Sequence, residues 1–399
     1  MKILLINHFP LAGSGSGVYV KNIAKQLVKM GHEVCVIIPE NTTNIIPIDN
    51  VKIHPVYFKR EEVIDGQLDF NFPCMDPHPR SGFLYEDMTD LQVEQYENAF
   101  KKAIEEEILT FKPDVIHAQH IWIISSILDK YNIPIVITSH GSDIMGYKES
   151  NKFHKHFYKA AKDCKKIITI SKHNKDEVLA ILPEYQEKIT TISNGYDNNI
   201  FYRDNCSRSE ILKLFNIDKE YDKIVCFAGR LANNKGVDIL LNSAKIYEKE
   251  NVLTLIAGNG NEYEKLYMQK ENLGLKNIVF LGDKTHEELR KMYTIADVCA
   301  VPSREEAFGL VALESIACGT PVVATKQGGI SDFVTEDVGI LIERENVEQL
   351  AEMIIKILNK EKIFNSEDLE KYAKSSYSQE EFIHKLIEIY KGVQEEGGI

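Results

Sequence analysis

Strand-like apolar runs alternate with helical patterns along most of the chain, and this alternation constrains the fold more than any single motif. The first seven predicted strands are residues 3–6, 33–38, 51–57, 114–118, 134–139, 166–170 and 188–192. Helical patterns lie between most of them, including 91–111, 121–131, 151–164 and 172–181. Such alternation is typical of βα units that build a parallel sheet.

The pattern restarts after the turn-rich stretch 193–199 and the polar stretch that follows it. Six more strands are predicted at 223–228, 252–257, 278–281, 297–301, 321–325 and 339–342, again with helices between them. A chain of 399 residues is long enough for two domains, so the sequence predicts two doubly wound α/β domains at 1–197 and 198–377. The remaining residues, 378–399, contain an amphipathic helix that we expect to pack back on the first domain.

Composition narrows the class of protein and its compartment. The chain has 47 basic and 60 acidic residues and a formal net charge of −13, which argues against binding nucleic acid by neutralising its phosphates. Its seven cysteines form no CxxC pair. The first apolar run is too short for a signal peptide, and no window approaches 18 uninterrupted apolar residues. These features predict a cytoplasmic protein.

A glycine-rich turn lies between the first predicted strand and a helix predicted over 18–30. Gly15, Ser16 and Gly17 therefore have a setting typical of a phosphate-binding loop. The dinucleotide fingerprint needs a third glycine three residues after the second, and Val18 or Val20 stands there instead. Glu40 nevertheless ends the second strand, where a ribose-binding acid would lie, so an NAD-dependent dehydrogenase remains an alternative.

Charged residues in the second domain follow two predicted strands. Arg230 and Lys235 come after the strand 223–228, and two cations at the carboxyl end of a strand suit a diphosphate. Phe308, Gly309 and Leu310 are predicted to open a helix after the strand 297–301. The free N–H groups and the positive dipole of a helix start also favour an anion.

Two glutamates accompany that predicted helix start. Glu306 precedes it and Glu314 follows eight residues later, about two helical turns on, so both carboxylates are expected on the same side of a crevice. A carboxylate accepts paired hydrogen bonds from the vicinal hydroxyls of a sugar. Glu305 and Glu306 beside Glu314 could be mistaken for a glycosidase pair, but a hydrolase has no need of a cationic diphosphate site.

As a set, these segments resemble those of retaining glycosyltransferases of family 4, which have the GT-B fold of two Rossmann-like domains facing across a cleft. The resemblance spans nearly the whole chain and several short motifs. They are the glycine turn, SHGSD (139–143), SNGYD (193–197), GRLANNKG (229–236), AGNG (257–260), the Glu306 and Glu314 pair, GTPVVAT (319–325), GGISD (328–332) and the closing helix. One departure is Asp332, where a glutamate is usual in the family.

The family resemblance implies a role for most of these residues. The donor, a nucleoside diphosphate sugar, would bind mainly to the C-terminal domain and the acceptor mainly to the N-terminal domain. Arg230 and Lys235 would hold the diphosphate, Glu314 the ribose, and Glu306 the transferred sugar, while His140 would face that sugar. The implied donor contacts also include Gly15, Ser16, Gly17, Gly229, Phe308, Gly309 and Leu310.

The resemblance also implies transfer of a hexose-type sugar with retention of configuration. We expect no cofactor, and a UDP-sugar is favoured over a GDP- or ADP-sugar as the donor. No two aspartates are separated by a single residue, so the chain has no DxD pair to hold a metal, and fixed cations are expected to substitute. An epimerase acting on a nucleotide sugar remains a second alternative.

Candidate acceptor contacts come from two segments. His78 and Arg80 lie in the irregular stretch 58–90, and long irregular segments in compact domains are usually either functional or disordered. Lys155 belongs to a basic helix predicted within 151–166, whose lysines share one face. That face suits solvent, an anionic acceptor, or peripheral contact with the inner face of a membrane that carries a lipid-linked acceptor. A small molecule or a glycan is also compatible as acceptor.

Overall fold

The computed structural model divides the chain into two compact units. It describes residues 1–60, 63–75, 78, 80–248, 251–306 and 308–397. The first unit comprises Met1–Ile192 together with Ile383–Ile399, and the second comprises Ser193–Phe382. The domain limits predicted at 197 and 377 each lie within five residues of these junctions.

The first unit is built on a parallel sheet of seven described strands. Its strands are β1 (Lys2–Ile6), β2 (Glu33–Glu40), β3 (Val51–Tyr57), β4 (Val115–Gln119), β5 (Ile135–Ser139), β6 (Lys166–Thr169) and β7 (Ile189–Thr191). Their order in the sheet is β3-β2-β1-β4-β5-β6-β7. The α-helices are α1 (Gly15–Lys29), α2 (Asp90–Thr110), α3 (Ser142–Glu149), α4 (His154–Asp163) and α5 (Lys172–Ile181).

The second unit repeats this architecture with a parallel sheet of six described strands. They are β8 (Lys223–Ala228), β9 (Val252–Ala257), β10 (Ile278–Gly282), β11 (Val298–Val301), β12 (Val322–Thr325) and β13 (Gly339–Ile342), in the order β10-β9-β8-β11-β12-β13. The helices are α6 (Arg208–Leu214), α7 (Val237–Tyr247), α8 (Tyr263–Leu273), α9 (His286–Ile295), α10 (Leu310–Ala317), α11 (Ile330–Phe333), α12 (Val347–Leu358) and α13 (Ser366–Tyr377). A last helix, α14 (Gln379–Gly397), begins in the second unit and continues in the first.

The strands form where the sequence has continuous apolar runs, because helices cover both faces of a parallel sheet. In β1, Ile3 to Ile6 are at most 1% exposed, and every residue of β9 is buried. Each of the thirteen predicted strands corresponds to a strand of the structure. The predicted fold, two doubly wound parallel α/β sheets, is therefore confirmed.

Some predicted helices have different bounds. The first helix begins at Gly15 rather than Val18, because the Ser14 side chain caps it by accepting a hydrogen bond from the Gly17 N–H. The prediction of one helix over 121–131 was wrong, since that stretch holds two short 3₁₀ turns at Ile124–Ile127 and Asp129–Tyr131. Nearly all of its apolar residues are buried, including consecutive ones. Their spacing along the sequence therefore does not distinguish one buried face of a helix.

The C-terminal helix α14 contributes to the core of the first unit. Tyr390 is fully buried, and its hydroxyl lies 2.6 Å from Nδ1 of His117 on β4. Leu386 and Val393 are buried on the same helix. Within the described residues, none of the helices combines the length and the apolar character that crossing a bilayer would require.

Candidate functional site

In the second unit, the loop after β8 is held against the loop after β9 by backbone hydrogen bonds. The Gly229 N–H donates to the Ala257 carbonyl and the Leu231 N–H to the Asn259 carbonyl, at 3.0 and 2.8 Å. A Cβ on Gly258 would lie 1.9 Å from the Gly229 carbonyl oxygen, so this approach requires glycine. A cleft of about 480 Å³ opens here, lined by Gly229, Arg230, Gly260 and Lys284 among others.

Lys235 and Glu306, which the family resemblance assigns to the diphosphate and the transferred sugar, form an ion pair. Lys235 Nζ lies 2.6 Å from Glu306 Oε2, and both side chains are mostly buried. The Ser303 hydroxyl also donates to Glu306, at 3.4 Å. The structure therefore brings these two predicted site residues together, although neither belongs to the described lining of the cleft at Arg230.

The two loops that carry this ion pair are tied together along their backbones. The Arg304 N–H donates to the Asn234 carbonyl at 2.8 Å, and the Arg304 guanidinium bonds both oxygens of Asp238 on α7. Gly236 has φ +66°, and a Cβ there would lie 2.0 Å from the Pro302 carbonyl oxygen. Only glycine allows the two loops to approach so closely.

The start of α10 lies just beyond the loop that carries Glu306. Gly309 precedes the helix with φ +94° and has no side chain to cap it, so the first-turn N–H groups at Leu310 and Val311 remain free of a side-chain cap. A Cβ on Gly309 would lie 2.4 Å from Ile330. Phe308 lies before the helix rather than in it, and its buried ring packs on Phe333.

Glu314 lies on α10 itself and accepts a long hydrogen bond of 3.5 Å from the Tyr293 hydroxyl. Burial raises the pKa of Glu314 to about 8. Glu306 precedes the helix, as predicted, so helical spacing alone does not determine whether its carboxylate faces the same side as that of Glu314. The two carboxylates have different partners, Lys235 and Tyr293.

The glycine turn of the first unit proves to be the first turn of α1. Gly15, Ser16 and Gly17 are its first three residues, and the Gly17 N–H is bonded to the Ser14 hydroxyl. A Cβ on Gly17 would lie 2.1 Å from the Pro10 carbonyl oxygen. A helix N-terminus after a strand remains suited to an anion.

His140 follows β5 and is held by a buried carboxylate behind it. Asp143 accepts hydrogen bonds from the backbone N–H groups of His140 and Gly141. Nε2 of His140 lies 2.9 Å from Gln119 Oε1, and the Tyr19 ring packs edge-on against the imidazole. Burial, followed by the neighbouring His120, lowers the pKa of His140, so its ring is neutral at physiological pH.

The candidate acceptor residues have partners within the first unit. Arg80 forms a two-pronged ion pair with Glu40, at 2.8 and 3.3 Å, and Glu40 is only 4% exposed. This pairing occupies the carboxylate that the dehydrogenase alternative requires. His78 Nε2 lies 3.2 Å from the Ala12 carbonyl oxygen, beside Gly13.

The lysines of the predicted basic helix are not equally available. Lys159 forms ion pairs with Asp129 and Asp163, and the Lys152 ammonium bonds the Met88 carbonyl. Lys155 is exposed on α4. The basic face is therefore weaker than the sequence suggests, because Asp163 on the same helix and Asp129, 30 positions away, neutralise part of it.

Two further histidines, His8 and His120, lie near His140, although neither belongs to a motif named above. The structure places the His120 ring 4.9 Å from that of His140 and the His8 ring 5.6 Å from that of His120. His120 comes directly after β4, and His8 lies two residues beyond the end of β1. This position at the carboxyl end of a strand is the sequence signal that could have marked them as candidate site residues.

Two family models match separate parts of the chain. Residues 87–199 match the model described as Glycosyltransferase Family 4, and residues 209–378 match the model described as Glycosyl transferases group 1. The first match contains α2 to β7 of the first unit, and the second contains Arg230, Lys235, Glu306 and Glu314.

Curated relatives extend this similarity along the chain. An uncharacterized glycosyltransferase of Methanocaldococcus jannaschii is 28% identical over 98% of both chains. Another from the same organism is 31% identical over 63% of this chain and 67% of its own length.

Solved structures show the same fold. Sucrose-phosphate synthase from Thermosynechococcus elongatus has a TM-score of 0.76 at 20% identity, and the match covers 98% of this chain and 99% of that one. The Anabaena protein HepE in complex with UDP has a TM-score of 0.74 at 18% identity, and the match covers 98% and 100% of the two chains.

Proposed function

The chain belongs to glycosyltransferase family 4 and has the GT-B fold, and from that premise we propose the reaction that it catalyses. It is a glycosyltransferase, and in our proposal it moves a hexose-type sugar from a nucleoside diphosphate sugar to an acceptor hydroxyl. The anomeric configuration is retained and no metal ion takes part. A UDP-sugar is the favoured donor, since the similar fold of HepE was solved with UDP.

The observation that carries this proposal is the joined pair of loops in the second unit. They hold Lys235 against Glu306 and lie next to a helix start without a side-chain cap. Arg230 adds a further cation at the neighbouring cleft. This arrangement offers positive charge to a diphosphate and a carboxylate to a sugar within one compact unit.

These groups suit the charge that develops during transfer. As the bond between the anomeric carbon and the diphosphate breaks, negative charge grows on the leaving group and positive charge on the sugar. Arg230, Lys235 and the N–H groups at the start of α10 stabilise the diphosphate, because preorganised donors in a site that excludes water are most effective where charge develops. The acceptor oxygen forms the new bond from the face that the diphosphate leaves, and the acceptor proton passes to an oxygen of the departing diphosphate.

The remaining assignments place other parts of the donor. Glu314 binds the ribose hydroxyls, and Glu306 binds hydroxyls of the transferred sugar. Gly15, Ser16 and Gly17 form a helix start in the first unit, which also suits an anion. His140 is neutral and donates or accepts a hydrogen bond at the sugar.

A thermal-shift screen with UDP-, GDP- and ADP-sugars tests the donor, because a ligand that binds the folded state raises the melting temperature. We expect the largest rise with a UDP-sugar. Release of free nucleoside diphosphate should then require an acceptor and should persist in EDTA. Isomerisation of the sugar without acceptor would indicate an epimerase, and activity lost in EDTA but restored by magnesium would contradict the metal-free mechanism.

A further inference from the structure

Four side chains form a buried polar cluster at the carboxyl edge of the first sheet: His8, Gln119, His120 and Trp122. Each is at most 1% exposed. His8 follows β1, whereas the other three end or follow β4, the neighbouring strand. In doubly wound sheets, ligands bind outside the carboxyl ends of the strands.

The cluster has hydrogen-bonding capacity that the described residues do not use. Both ring nitrogens of His8, Nδ1 of His120, Nε2 of Gln119 and Nε1 of Trp122 have no hydrogen-bond partner among the described residues. Buried polar groups are nearly always paired, because an unpaired one opposes folding. These five atoms therefore have hydrogen-bonding capacity that none of the described residues meets, and a ligand could use it.

His117, two residues before Gln119 on β4, shows the ordinary arrangement. It is also fully buried, yet its Nδ1 lies 2.6 Å from the Tyr390 hydroxyl and its Nε2 lies 2.7 Å from the Thr138 hydroxyl. Burial alone thus does not leave a histidine of this strand without partners. Among the described residues of β4 and the turn after it, the unmet groups lie where the strand ends.

The backbone at the cluster is also unusual. His120 has φ +69°, in the left-handed region that is uncommon for residues other than glycine. Its N–H is bonded to the Thr138 carbonyl at 2.7 Å, which fixes this conformation. Strained residues of this kind concentrate at functional sites.

The chemistry of the cluster favours an uncharged partner. Burial lowers the pKa of His8 and lowers the pKa of His120 to about 3, so both rings are neutral at physiological pH. A neutral imidazole donates one hydrogen bond and accepts another, as a hydroxyl group does. The rings that contact the two histidines include those of Phe9 and Tyr85, which are uncharged and suit the apolar face of a sugar or cyclitol.

His140 borders the cluster. Its ring contacts that of His120, its Nε2 lies 2.9 Å from Gln119 Oε1, and it is partly exposed. We propose that the buried polar cluster is an acceptor subsite that binds the hydroxyl groups of an uncharged sugar or cyclitol entering beside His140. This inference rests on the proposed function, in which His140 faces the transferred sugar.

Paired histidine variants test the subsite. His8→Phe removes two unpartnered ring nitrogens, so we expect the melting temperature of the free protein to stay the same or rise. His117→Phe removes two satisfied ones and should lower it. A fall in His8→Phe as large as that in His117→Phe would overturn the proposal, because it would show that His8 is bonded to structural water.

Turnover with a panel of acceptors tests the ligand class. With the donor that gives the largest thermal shift, glucose, mannose and myo-inositol should release nucleoside diphosphate, and their phosphate esters should do so less well. In His8→Phe and in His120→Asn, whose asparagine tolerates the left-handed backbone, the KM for the neutral acceptor should rise at least about tenfold. The donor KM and the acceptor KM of His117→Phe should stay unchanged.

The two proposals fail in different ways. If no nucleotide sugar binds, the proposed function itself is wrong. If a nucleotide sugar binds but only anionic acceptors are used, or if the cluster variants keep their acceptor KM, the transferase reaction stands and the neutral subsite is excluded.

Discussion

Lys235 donates a hydrogen bond to Glu306 across 2.6 Å, and this ion pair joins two loops that are 71 residues apart in sequence. In the proposed reaction, the Lys235 ammonium binds the diphosphate and the Glu306 carboxylate binds the transferred sugar. The bond that breaks joins these two parts of the donor. A donor must therefore compete with Glu306 for Lys235 when it binds. Loss of either partner should affect binding and turnover differently.

Lys235→Met should reduce turnover by about 10²- to 10³-fold, because a preorganised cation no longer stabilises the leaving diphosphate. The measurement is kcat with saturating donor. Lys265→Met is a matched control, since Lys265 pairs with Glu262 on the surface of the same unit and should leave kcat unchanged. Near-normal turnover in Lys235→Met would remove this lysine from the mechanism.

Glu306→Gln should tighten the binding of free nucleoside diphosphate while lowering kcat. The reason is that Lys235 loses its competing carboxylate, whereas the transferred sugar loses an acceptor of its hydroxyl hydrogen bonds. Calorimetric titration with UDP and steady-state kinetics measure the two effects separately. Weaker UDP binding in this variant would show that the ion pair orients Lys235 rather than competing for it.

Gly236→Ala should unfold more easily than Gly274→Ala, although the two glycines have φ +66° and +69°. A Cβ at Gly274 meets nothing within 4 Å. The free energy of unfolding of that variant should therefore fall only by the cost of a left-handed backbone at alanine, about 1–2 kcal/mol. At Gly236 the same atom would strike the Pro302 carbonyl and push the loop of Glu306 away. Urea denaturation should show the larger loss at Gly236, and the donor KM should rise only there.

Glu314 should make the stability of the second unit depend on pH. Its pKa is raised to about 8 in the folded state, so the folded protein binds the proton more tightly than the unfolded chain. This contribution to stability is fully present below the unfolded pKa of about 4.3 and is lost as the pH rises towards 8. The free energy of unfolding of Glu314→Gln should therefore fall less between pH 5 and 8 than that of the parent protein. Parallel profiles would show that the carboxylate is not desolvated.

Arg80→Ala should cost about 1–3 kcal/mol of stability, because it leaves the buried Glu40 carboxylate without its partner. Adding Glu40→Gln should recover most of that loss. The acceptor KM then separates two roles of Arg80. If the predicted acceptor contact is correct, the double variant regains stability but keeps a raised KM, and if Arg80 only pairs with Glu40, the KM returns to normal.

The sequence by itself determined the architecture and the family. Thirteen apolar runs predicted thirteen strands. A parallel strand is buried on both faces, so it needs a continuous apolar run, and such a run is visible in the sequence alone. It also placed Arg230, Lys235, Glu306 and Glu314 in one domain in the order of the family motifs. The start of α1 at Gly15 was missed, although Ser14 is a typical capping residue.

Only the tertiary structure decided which side chains are partners. Three ion pairs join residues that are at least 30 positions apart in sequence: Arg80 with Glu40, Lys159 with Asp129, and Lys235 with Glu306. Hydrophobic periodicity carries no information about such pairs. The sequence also could not show that ring nitrogens of His8 and His120 have no hydrogen-bond partner among the described residues. A missing hydrogen bond can be recognised only when the positions of the neighbouring groups are known. Local sequence fixes where strands and helices form, whereas charge and hydrogen-bonding state depend on neighbours that the fold brings together.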